Sequence, residues 1–166
     1  LRPTSDRSRR RVAAEAEWIA LHERYGLPVH IFRLAGIYGP GRNTLETLRK
    51  GEGRRIVRPG QVFSRIHVED IAKVLEASIA SPAPGRIYNV CDDCAEEPAR
   101  VVEFACKLLG IEPPEAEDFA QADLSPMART FWADNKRVSN RRIHEELKVE
   151  LSYPDYKAGL RALLNA

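Results

Sequence analysis

Two stretches of this 166-residue chain gather residues whose types and spacing could do chemistry. The first, residues 32–42, reads Phe-Arg-Leu-Ala-Gly-Ile-Tyr-Gly-Pro-Gly-Arg and ends in Gly39, Pro40 and Gly41. A Gly-x-Gly turn between a strand and a helix lets backbone N–H groups approach a pyrophosphate closely. The details here oppose that chemistry. The third glycine of such a loop would fall at position 44, which is Thr, and no carboxylate able to grip a ribose hydroxyl lies between Gly53 and Val68. Pro40 also removes one of the N–H groups a phosphate would need. The turn is therefore read as one that swings the chain over the carboxyl edge of a sheet.

The second stretch, residues 63–72, reads Phe-Ser-Arg-Ile-His-Val-Glu-Asp-Ile-Ala. His67 and Glu69 would share one side of a strand, but no third metal ligand stands near them, so no metal site is expected. His67 is read instead as a hydrogen-bonding residue at a strand-to-helix corner. Asp70, just before an apolar helical stripe, has a role at a helix N-terminus open to it. Cys91 and Cys94 form a Cys-x-x-Cys pair without a second pair to complete a zinc site, and the acidic Asp92 and Asp93 between them disfavour a thiolate.

Composition narrows the classes further. An odd count of 3 cysteines argues against a disulfide framework and for a reducing, cytoplasmic setting. No apolar run approaches the roughly 18 residues of a membrane span, and no apolar stretch follows the basic N-terminal residues as it would in a secretory signal. Arginines cluster at residues 7–11 and 49–58, yet the net charge is only +2. Solvated faces or internal partners account for such runs better than nucleic acid does.

The elements that must position these residues follow from periodicity. A helix is predicted over residues 7–25, capped by Ser5 or Asp6 and ended by Gly26, with an apolar arc wide enough to be covered on two sides. The near-continuous apolar run 28–39 predicts a strand buried on both faces, as in a parallel sheet. A short helix from Thr44, as its cap, through Lys50 comes next, then extended pieces at 55–58 and 62–67. A helix over 69–81 carries the stripe Ile71, Val74, Leu75, Ser78 and Ile79. A second buried strand at 86–91 and a helix near 97–109 follow, with 111–134 mainly a covering loop and helices near 138–147 and 154–164. The alternation predicts an α/β fold with a right-handed crossover, and two long strands are too few to close it.

Taken together, residues 33–41 and 66–72 resemble the NAD(P)-dependent epimerase/dehydratase family, the extended and atypical short-chain dehydrogenase/reductase proteins. There, a strand ending Arg-x-x-x-x-Tyr-Gly-Pro-Gly is followed by a helix start Ile-His-Val-x-Asp-Ile-Ala. Tyr88-Asn89-Val90, Asn135 to Ser139, Tyr153-Pro154 and Gly159-Leu160 extend the likeness over essentially the whole chain. All these matches belong to the second half of proteins nearly twice this length. The resemblance thus implies the C-terminal part of a Rossmann-type doubly wound parallel sheet with a small substrate-side subdomain. Residues 1–166 would be a single partial domain, the Gly-rich cofactor-binding half being absent.

The resemblance also implies roles. NAD or NADP would be bound by the full-length protein and not tightly by this chain. Leu34, Ala35, Gly36 and Ile37 would approach the nicotinamide end, while Tyr38, Arg42, Arg65 and His67 would line the side of a small-molecule substrate, a nucleotide sugar being one candidate. The helix at 7–25 would form a homodimer interface. Placing Ala14-Glu15 on the family's Ala-Glu sets Arg7 at its catalytic Tyr and Arg11 at its Lys. A guanidinium stays protonated, so Arg7 cannot relay protons, whereas Arg11 can hold a ribose or a phosphate. Gly36 and Phe63 stand where nucleotide-sugar epimerases usually carry Asn and a phosphate-gripping Arg, with Arg42 and Arg65 as candidate replacements. The expectation is the substrate-side part of an atypical oxidoreductase or epimerase-like protein, inactive alone. Its alternative is a non-catalytic cofactor-sensing or assembly module on the same scaffold.

Overall fold

The computed structural model describes Pro3 and residues 5–164. Helix α1 spans Asp6–Tyr25; of the two candidate caps it uses Ser5, whose hydroxyl accepts the Ser8 N–H at 3.2 Å. Gly26, at φ 69°, ends the helix by donating its N–H to the His22 carbonyl. A side chain there would be strained, which is why glycine closes the helix. No residue of α1 is buried, and Trp18 and Tyr25 are 53% and 70% exposed. The predicted cover on two sides is therefore absent: among the described residues only the face with Val12, Ile19 and His22 is half-buried. Glu15 ties α1 to the sheet, accepting from Arg33 Nε and Nη2 at 3.0 and 2.5 Å.

The apolar run expected as one strand is two. Strand β1 is Ile31–Leu34 and β2 is Gly36–Tyr38. β1 pairs in parallel with β5, Ile87–Val90, whereas β2 pairs in parallel with β4, Arg65–His67. Ala35 is the point of exchange: its N–H still bonds Val90 O at 3.0 Å, and the next N–H, of Gly36, bonds Ser64 O at 3.2 Å. β1 is half-buried rather than buried on both faces, and among the described residues it is paired along one edge only, by β5. A third parallel pair joins β3, Arg55–Val57, to β6, Ala116–Asp118.

β6 corrects the reading of 111–134 as a loop, and so does helix α5, Pro126–Trp132, which Ser125 caps by accepting the Ala128 N–H. Two other helix starts also differ from expectation. Asn43, not Thr44, caps α2 (Thr44–Arg49) through the Glu46 N–H at 3.0 Å. His67 caps α3 (Val68–Ala80), accepting the Glu69 N–H at its Nδ1. Of the predicted α3 stripe, Val74 and Ser78 are buried but Leu75 and Ile79 are exposed. Helix α4 (Pro98–Leu109) begins on Pro98 and ends at Gly110 as its sequence dictates.

The last helices are shorter than predicted, α6 being Arg141–Glu145 and α7 Tyr156–Leu164. Residues before α6 are held elsewhere: Asn89 Nδ2 donates to Ser139 O and Asn140 Nδ2 donates to Cys91 O, which pins the segment to the end of β5.

The buried apolar residues fall into three clusters. Ile66, Val74, Tyr88, Val90 and Ile143 pack around β4 and β5; Ile56, Phe63, Ala122 and Trp132 around β3; Leu45, Leu48, Val101, Tyr156 and Leu160 join α2, α4 and α7. At the seam between β2 and α7, Gly159 lets the Tyr38 ring lie against the helix backbone. A Cβ there would sit 2.7 Å from ring atoms Cε2 and Cζ. Gly159→Ala is expected to cost about 1–3 kcal/mol through this overlap, read as a lowered urea midpoint. An unchanged midpoint would show that the ring can move aside.

Candidate functional site

The exchange at Ala35 opens the sheet at its carboxyl edge, and two cavities meet there. The larger is an open groove of about 1390 Å³ between α1 and the β1–β2 run, and Arg11, Leu34, Ala35, Gly36 and Ile37 all line it. The smaller, about 300 Å³, lies between β2, α2 and α7; Tyr38, Arg42 and Arg65 line it together with Asn43, Tyr156 and Leu160. Gly36, Ile37, Arg42 and Phe131 belong to both. The residues singled out for cofactor and for substrate thus occupy adjoining spaces, with one exception. His67 lines neither cavity.

His67 is 1% exposed and held behind the site. Its ring meets the edge of Tyr38 at 5.1 Å between centroids and lies 4.0 Å from Tyr153. Burial lowers its pKa, and a ring whose Nδ1 accepts an N–H is neutral. Its work is to cap α3 and to back Tyr38. Asp70 lies in the first turn of α3, as expected, though His67 is the cap. Fully buried, its two carboxylate oxygens accept the N–H groups of Ser152 and Tyr153 at 2.7 and 3.0 Å.

The electrostatics of the smaller cavity suit binding better than proton transfer. Burial, reinforced by the charges of Asp92 and Asp70, holds the Tyr38 phenol well above its ordinary range, so it stays protonated near neutrality. Burial likewise pushes Tyr156 up to about 12. Arg65, its pKa lowered by burial, donates from Nη1 to Phe63 O and Glu96 O at 2.8 and 3.2 Å. Behind it lies Asp92, 2% exposed, with Oδ1 accepting the Cys94 N–H and Oδ2 without a partner. Cys91, pushed up to about 12 chiefly by burial, donates to Val138 O, so a reactive thiolate is not favoured there.

Several lining residues were not singled out from the sequence. Phe131 lies in a stretch without apolar periodicity, Asn43 follows the glycine turn, and Lys136, within the matched stretch 135–139, and Asp134 reach the groove through long-range folding of the 134–136 segment. That segment is held by bonds from Gln61 Nε2 to Asp134 O and from Val62 N–H to Asn135 Oδ1. Among the described residues no group of His, Cys, Asp or Glu is placed to hold a metal ion, and no helix is long and apolar enough to cross a membrane.

Comparison with known proteins bears on the whole arrangement. No family model matches the chain. Protein YeeZ of Escherichia coli is 32% identical over 148 residues, 87% of this chain and 48% of that protein. The trifunctional UDP-glucose 4,6-dehydratase/epimerase/reductase RHM2 of Arabidopsis thaliana is 28% identical over 144 residues, 82% of this chain and 22% of that one. Among solved structures, a conserved protein of unknown function from Silicibacter pomeroyi superposes with a TM-score of 0.94 at 57% identity, covering 99% of this chain and 57% of its own. The dTDP-glucose 4,6-dehydratase of Bacillus anthracis, in complex with NAD, gives a TM-score of 0.78 at 21% identity, with 99% of this chain and 52% of that chain covered. The chain thus spans about half the length of YeeZ and of these structures. With its short parallel strand pairs and the motifs at 33–41 and 66–72, it has the fold of the C-terminal half of the NAD(P)-dependent epimerase/dehydratase proteins, the extended and atypical short-chain dehydrogenase/reductases.

Proposed function

We propose that this protein supplies the substrate side of an NAD(P)-linked, epimerase/dehydratase-like oxidoreductase, acting with a dinucleotide-binding half along the open edge of β1. The observation that carries this reading is the meeting of the two cavities at Gly36, Ile37 and Arg42. Leu34 and Ile37, 45% and 37% exposed, offer an apolar floor that fits a nicotinamide face. A bound nicotinamide would supply a hydride acceptor or donor. Arg11 would hold its ribose side, while Tyr38, Arg42 and Arg65 orient a small molecule, with nucleotide sugars as the first class to test. His67 contributes by fixing Tyr38.

A second copy would pack on α1, whose Trp18, Leu21 and Tyr25 are exposed. Free thiols at Cys91, Cys94 and Cys106 suit a cytoplasmic setting. The non-catalytic alternative draws on one observation: Arg7, a guanidinium that cannot relay a proton, stands where the resemblance puts the acid/base.

The test uses protein expressed from its complete reading frame. NAD(H) or NADP(H) should bind, and Ile37→Asp should weaken that binding by about tenfold or more, a loss of about 1.4 kcal/mol. Equal affinity in both proteins would reject the placement. Turnover of a nucleotide sugar that Arg65→Ala abolishes would favour the enzyme, and cofactor binding without any turnover would favour the sensing module.

A further inference from the structure

The larger groove gathers positive charge from several parts of the chain. Arg7 and Arg11 from α1, Arg42 from the turn after β2 and Lys136 from the segment after α5 all line it. Three separate parts of the chain thus bring cations to one concavity. The side chains of Arg7, Arg11 and Arg42 make no hydrogen bond or ion pair among the described residues. Acids do line the groove, but Glu15 is held in a fork by Arg33. Asp134 has other interactions of its own.

Lys136 is partly spent as well, its Nζ donating to Phe131 O at 3.3 Å and lying 3.9 Å from the Phe131 ring centroid. Burial lowers its pKa, Asp134 works against that, and the Arg7 charge adds to it. Like charges gathered at a concave surface raise its potential and cost free energy until an anion arrives.

We infer that this groove holds an anionic substituent of the substrate, a phosphate or carboxylate, between Arg7, Arg11, Arg42 and Lys136. The inference rests on the reading above for the identity of the groove and adds the charge class of its substrate. It also gives a use to the arginines that replace the family's Tyr and Lys. A guanidinium cannot relay a proton, but it offers a fixed fork of donors that matches an anion's oxygens two at a time. Phe131, shared by both cavities and 48% exposed, would cover the anion-bearing end from the α5 side.

Inorganic phosphate is the probe. Titrated into the protein by calorimetry at constant ionic strength, it should bind where chloride does not. Arg11→Gln and Arg42→Gln should each weaken it about tenfold or more, the loss expected for one charge-assisted contact. Arg141→Gln, at an exposed arginine of α6 that does not line the groove, should leave it unchanged. Arg11→Lys should restore part of the affinity, and Arg42, in an exposed turn, reports even where an α1 variant fails to fold.

Binding that chloride matches, or that survives both glutamine variants, overturns the inference. So does displacement of phosphate by NADH or by NADPH, which would assign these cations to the cofactor's own phosphates. Failure here is separable from failure of the oxidoreductase reading. Cofactor binding without phosphate binding rejects only the anion site, and phosphate binding without any cofactor binding rejects only the cofactor reading.

Discussion

Asp70→Ala is expected to lower the unfolding free energy by about 3–5 kcal/mol. The carboxylate is fully buried and accepts two backbone N–H groups, from Ser152 and Tyr153, more than eighty positions along the chain. Bonds to an ionised acceptor are the strong ones, and removing that acceptor strands both donors. The loss reaches the site, because the tethered segment leads directly into α7, whose Tyr156 and Leu160 wall the smaller cavity. Urea unfolding gives the stability, and hydrogen exchange should quicken first at residues 150–156. Asp70→Asn keeps one acceptor and should cost less. A loss below about 1 kcal/mol for Asp70→Ala would mean that solvent satisfies both donors and that the tether is unimportant.

The same residue shows where sequence reading ran out. The Ile-His-Val-Glu-Asp-Ile-Ala pattern marked a helix start, and a helix starts there. Local rules then favoured Asp70 as the polar residue serving that start, yet His67 caps it and Asp70 turns to a segment no local pattern connects with it. Elements with their own punctuation were legible: α1 between Ser5 and Gly26, and α4 between Pro98 and Gly110. Elements that exist through distant pairing were not. β6 is three residues whose partner β3 lies some sixty positions away, and nothing in its composition announces it. α5 did carry a signal in Ser125-Pro126, overshadowed by the prolines and acids around it.

The candidate site divides along the same line. Residues 34–38 and Arg42 sit in one continuous motif, and the fold brings them to one place because the chain itself is the wall. The hand-over at Ala35 was hidden, since an apolar run reads the same whether one neighbour pairs with all of it or two share it. His67 belongs to the motif but lies behind the surface, because the residue two before a helix's acid pair can cap as readily as it can face a ligand. Lys136 and Phe131 reach the groove through tertiary contacts alone.

Asp92→Asn should change how stability depends on pH, and by a similarly large amount. The wild-type carboxyl is buried, and burial pushes it up to about 7 from an ordinary 3.8; the Cys94 N–H and the Arg65 charge only partly offset that rise. Below the ordinary value both folded and unfolded chains are protonated and the group contributes no penalty. Between 3.8 and about 7 the unfolded chain has released its proton while the folded one keeps it. Stability then falls as pH rises, at up to about 1.4 kcal/mol per pH unit, to a total of about 4 kcal/mol. Above that window the penalty is constant, the folded protein carrying a buried charge with one unpartnered oxygen. Asparagine stays neutral and keeps Oδ1 for the Cys94 N–H. The variant should therefore match the wild type most nearly below pH 4, gain on it up to about pH 7 and hold that gain above it. Comparing the two proteins in urea at each pH cancels the titration of every other group, so the difference reports Asp92 alone. A difference that does not vary with pH would show that Asp92 ionises in the folded state as it does in water.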